Sequence, residues 1–91
     1  MKLYVELNRK EIQEQLPYPI IAEAFSRSIW KTGRRKRLMM EYFAEDELDR
    51  VEEIGRRACQ WAYVRGVPDS VKMDTATYDM WQRVGEFCAG L

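Results

Sequence analysis

Between Glu45 and Arg65 the apolar residues fall three and four apart, and this spacing constrains the chain more than any other feature. Leu48, Val51, Ile54, Gly55, Ala58, Trp61 and Ala62 share one wide face of a helix. Glu45, Asp46 and Glu47 stand at its N-terminal end, where the helix dipole favours acids. Asp46/Arg50, Glu52/Arg56 and Glu53/Arg57 are pairs four apart with the acid first, each contributing about 0.3–0.5 kcal/mol on an exposed face. Gly66 stops the helix and Pro68 prevents its resumption.

Around this element the chain divides at its turn residues. Lys2 to Leu7 alternates, with Leu3, Val5 and Leu7 on one side, as in a half-buried strand. Asn8 then reads as an N-cap, with Glu11 in the reciprocal capping position. Pro17 and Pro19 end the first helix, and Pro19 suits the first turn of a second that runs to Thr32, with Gly33 as its left-handed C-terminal residue. Asp74 reads as the cap of a last helix that Gly90 ends. The segment 34–43 fits a helical repeat through Leu38, Met39, Tyr42 and Phe43, and alternation through Leu38, Met40 and Tyr42. Its Met and Arg content favours helix.

The expected fold is therefore mainly α. It is a compact bundle of about four helices, roughly 9–16, 20–32, 45–65 and 75–89, with a short N-terminal strand over 2–7. A connector follows the long helix, with a second short strand at Ser70–Met73. The 91 residues make a single domain, 1–91, because a chain of this size has no room for two cores. Five Gly and three Pro are too few turn-formers for an all-β sandwich.

The chemistry of catalysis is thinly represented. There is no histidine, which removes the commonest general base and the commonest metal ligand. Cys59 and Cys88 lie inside expected helices and read as reduced core thiols. A carboxylate-only metal site among Glu45, Asp46, Glu47, Asp49, Glu52 and Glu53 competes with a solvated helix face, and the ion-pair spacing favours the latter. Lys31-Thr32-Gly33 lacks the glycines of a phosphate loop. Ser26, Ser28 and Ser70 have no neighbouring base in sequence. The expectation is a non-enzymatic protein without cofactor or metal.

The net charge of zero conceals a dipolar middle. Arg27, Lys31, Arg34, Arg35, Lys36 and Arg37 run without an acid between them, and seven acids with one base, Arg50, follow from Glu41 to Glu53. The two runs either screen each other within one molecule, meet across a symmetric dimer, or leave the bases free for phosphate. Aromatic residues are 12% of the chain, and the last helix is apolar over about half its circumference. Either that helix is central to the fold or its spare face binds something. Interfaces are enriched in Trp, Tyr, Met and Arg, which makes Tyr18, Trp30, Met80, Trp81 and Phe87 the candidate interface residues.

These features favour a small protein-interaction module, homo-oligomeric (a homodimer) and acting by binding as a regulator, inhibitor or accessory protein. One alternative is a nucleic-acid-binding regulator using the basic run 34–37, and another is a binder of a small anionic ligand such as a nucleotide. Both would use Arg27, Lys31, Arg34, Arg35, Lys36 and Arg37. The first residues lack a signal peptide's apolar stretch and no apolar run approaches a membrane span, so the expected location is cytoplasmic, with no membrane partner.

Overall fold

Strand alternation at the N-terminus requires a partner, and the connector before the last helix provides it. In the computed structural model, which describes residues 3–27 and 33–91 (35 and 36 as backbone only), β1 (Tyr4–Asn8) pairs antiparallel with β2 (Ser70–Asp74). Val5 lies opposite Met73 and Leu7 opposite Val71, and this side faces inward. Tyr4, Glu6 and Lys72 face out. Leu3 shares the inward parity but lies beyond the packed part of the ribbon and is 63% exposed.

Each strand leads straight into a helix through its last residue. The Asn8 side chain accepts the Glu11 N–H at 2.9 Å, and the Glu11 carboxylate accepts the Asn8 N–H at 3.0 Å, which starts α1 (Arg9–Gln15). Asp74 accepts the Thr77 N–H at 2.6 Å and starts α5 (Thr75–Ala89). Both caps satisfy amides that a helix end leaves without partners.

The second helix departs from its expected span. α2 covers Tyr18–Ser26, with Pro19 in its first turn, and Arg27 is already extended. Its last turn is tightened: the Ser26 hydroxyl donates to the Glu23 carbonyl at 2.9 Å, and the Arg27 N–H reaches only to Ala24. Residues 28–32 of the expected span lie outside the described residues. Gly33 has the positive φ (+86°) expected of it, but it precedes a helix, α3 (Arg34–Tyr42). The segment that fitted two patterns is thus helical, with Met39 and Phe43 buried.

The expected continuous helix 45–65 is three pieces. A 3-10 turn at Glu45–Glu47 leads into α4 (Leu48–Cys59), and a π turn at Gln60–Val64 follows, closed by the Arg65 N–H on the Gln60 carbonyl at 2.8 Å. The π turn holds an extra residue and so rotates the side chains beyond it. Trp61 remains buried while Ala62, expected on the same face, is exposed. Gly66 ends the element with φ +81° as expected, whereas Gly90 ends α5 with an ordinary negative φ.

The fold is mainly helical and packs as one compact globule. α5 crosses its middle, against α2, α4 and both strands. Its wide apolar face is consumed there: Met80, Trp81, Val84, Phe87 and Cys88 are all buried. Trp81 stacks on Trp61 with ring centroids 5.1 Å apart and planes 6° from parallel, and Tyr18 meets Trp61 edge-on at 5.9 Å. Two glycines let other elements approach closely. A Cβ at Gly55 of α4 would overlap the Phe25 ring of α2, and one at Gly85 of α5 would overlap the Pro17 ring.

Candidate interaction surfaces

The aromatic residues of the core bear directly on where a partner could dock. Of the five expected interface residues, Met80, Trp81 and Phe87 are 3%, 1% and 7% exposed. Their area is spent on the core because α5 is central, which corrects their assignment to a free face. Tyr18 is half-buried against Trp61, and Trp30 lies outside the described residues. The exposed large apolar residues are instead Leu3 and Tyr4 at β1, Ile20 on α2, Met40 and Tyr42 on α3, Tyr63 and Val64 at the π turn, and Leu91.

α3 carries the basic run. Arg34 and Arg37, one turn apart, line an open groove of about 450 Å³ with Leu38 and Glu41. Met40 is 57% exposed and lies one turn beyond Arg37. It lies about 100° round the helix from its neighbour Met39, and Met39 and Phe43 are buried and hold α3 to the core. The signal was present in the sequence, because Met40 is the residue that the helical repeat of this segment leaves out. Of the other candidate anion contacts, Arg27 pairs with Glu23 at 2.9 Å. Lys31 lies outside the described residues, and Arg35 and Lys36 are known by backbone alone.

The acidic run is divided in its use. Glu53 takes both Arg56 and Arg57, of which only the second pairing has the expected spacing of four. Glu47 reaches across to α5, where Arg83 donates to both its oxygens at 2.6 and 3.2 Å. That guanidinium also lies 5.3 Å from the centroid of Phe43. Phe43 packs in turn with Tyr42 and Phe87, at centroid separations of 4.9 and 5.4 Å. The clamp joins the 3-10 turn and the end of α3 to α5. Glu45, Asp46 and Asp49 remain exposed. Among the described residues no three His, Cys, Asp or Glu side chains come together as a metal site would require.

The clamp makes a pH-dependent prediction. Hydrogen bonding from Arg83, and then from the Ala44 amide, holds the Glu47 carboxyl below its ordinary 4.5. A depressed folded-state value means a contribution that is complete above 4.5 and lost as the pH falls through the lower value. Glu47→Gln is therefore expected to be less stable than wild type at neutral pH, and the difference should close in acid. Urea midpoints measured from pH 7 downward check this. A gap that does not change with pH would mean that the carboxylate charge is not what the clamp uses.

The other open features are mixed in charge. A groove of about 470 Å³ between α4 and the start of α5 has Ile54 and Trp81 at its floor and Asp46, Asp49, Arg50, Glu53, Arg57 and Thr77 around it. The Cys88 thiol is pushed up to about 12 by burial, so it is protonated at neutral pH and a poor nucleophile. Among the described residues no helix is long and apolar enough to cross a membrane. Comparison with family models, curated proteins and solved structures returned no match for this chain.

Proposed function

We propose that this protein works by binding: a small, non-enzymatic interaction module that associates with itself and with a protein partner, as a regulator, inhibitor or accessory protein. The observation that carries this reading is the outward side of α3. There the exposed Met40 lies one turn from Arg37, which lines a groove with Arg34, Leu38 and Glu41, residue types that suit an apolar contact with a charged rim. Its test is affinity capture with the folded protein as bait. A protein retained by wild type and by Lys10→Glu, an exposed change on α1, should be lost with Arg37→Glu/Met40→Glu at unchanged thermal stability. Equal retention by all three would remove α3 from the reading.

Nucleic-acid binding is the second reading, favoured by the presentation of Arg34 and Arg37 one turn apart in one groove. Fluorescence anisotropy at low salt decides it, since phosphate contacts require affinity to fall steeply as salt is added.

A further inference from the structure

We propose that the first turn of α3 is a charge-gated switch, unwound at low ionic strength and wound when dissolved ions screen its cations, with the far end of the helix docked throughout. The switch stands independently of the binding reading above.

Charge along α3 runs against the helix dipole. Arg34, Arg35, Lys36 and Arg37 fill the first turn, at the positive end, and Glu41 lies in the last turn, at the negative end. That first turn contains no acid, and Gly33 before it supplies no side-chain cap. α4 and α5 are arranged the opposite way. α4 has Asp49 in its first turn and Arg56 and Arg57 in its last, and α5 is capped by Asp74. Arg34 and Arg37 are exposed and three apart, so like charges adjoin on the helix surface. Among the described residues neither forms an ion pair.

The hold on the body lies at the other end. Met39 and Phe43 are buried, and Tyr42 and Phe43 meet Phe87 with ring centroids 5.1 and 5.4 Å apart. Residues 34–37 include no apolar residue that could anchor their turn in the same way. A helix of nine residues is also too short to hold an unfavourable turn through its own hydrogen bonds. Because Arg34 and Arg37 are at the surface, their repulsion and their conflict with the dipole both weaken as the screening length falls. The structure holds the wound state. The groove that Arg34 and Arg37 line with Leu38 and Glu41 needs the two cations one turn apart, so it belongs to that state alone. Ionic strength thereby sets how much of the protein presents the groove.

Hydrogen exchange of the full chain tests the switch. The amides of Leu38 to Glu41 bond back to the carbonyls of residues 34–37, so their protection reports on the turn. In about 0.02 M sodium chloride they should be far less protected than the α5 amides, and about 0.5 M should raise their protection roughly tenfold relative to α5. Arg34→Glu/Arg35→Glu puts acids at the positive end. It should raise the low-salt protection by a similar factor and abolish the gain with salt, while Arg34→Gln/Arg35→Gln falls between. Amides 38–41 as protected as those of α5 at low salt, protection that salt does not raise, or a full salt response in the Glu variant would each overturn the switch.

Discussion

Trp81→Ala should lower the melting temperature by on the order of 15–30 °C, the largest loss expected from any single truncation in the chain. Trp81 is 1% exposed and lies on the central helix, with one face of its indole stacked on Trp61. Removing it costs the transfer free energy of the ring and leaves a cavity between α4 and α5, together about 3–5 kcal/mol. A domain of this size holds roughly 5–14 kcal/mol in total, so the variant should keep its helical circular dichroism at low temperature but unfold early on heating. Trp81→Phe retains part of the stack and should lose less. If Trp81→Ala melted within a few degrees of wild type, the indole pair would not be the centre of the core.

Gly55→Ala is the second large effect, and its sign is the informative part. In an exposed helix interior this change stabilises by about 1 kcal/mol, because Ala is the better helix former. At Gly55 the added methyl would overlap the ring of Phe25, with even the far ring carbon Cζ only 2.7 Å away. α2 must then move off α4 or the ring must leave its rotamer, at a typical cost of about 1–3 kcal/mol and more where neither side yields. The expected outcome is net destabilisation, read as a lower urea midpoint with an unchanged slope. Combining Gly55→Ala with Phe25→Leu should cost less than the sum of the two, because the smaller side chain relieves the overlap.

Local signals in the sequence transferred to the structure with little loss. The capping box at Asn8 and Glu11, the Asp74 cap and the positive φ of Gly33 and Gly66 all depend on neighbours within a few residues, whereas the pairing of β1 with the short strand expected at 70–73 joins distant parts of the chain and was not legible. The splitting of 45–65 was not legible in the same way. A π turn costs one extra residue in a repeat that otherwise looks continuous, and Ala62 revealed it only by its exposure. The end of α2 was hidden for a similar reason, since the Ser26 hydroxyl bonds the preceding turn without changing the apolar pattern.

The candidate surface was harder to read than the fold. Aromatic richness in α5 has two explanations, a central helix or a binding face, and composition leans slightly to the second. Packing on α2, α4 and both strands decides for the first and removes Met80, Trp81 and Phe87 from the surface. What stays outside is less conspicuous in sequence and scattered over several elements, with Leu3 and Tyr4 at the ribbon, Met40 and Tyr42 on the basic helix, and Tyr63 and Val64 at the π turn among them. The charge separation was plain in the sequence, but its use was not. Glu47 is committed to Arg83, far along the chain, and this pairing follows from no local spacing.

The account as a whole stands on self-association, and sedimentation equilibrium of the wild-type chain measures it directly. Loaded from micromolar to near-millimolar concentration at physiological salt, the protein should fit a reversible monomer–dimer equilibrium whose average mass rises toward twice that of one chain. A single monomer mass across the whole range would contradict it.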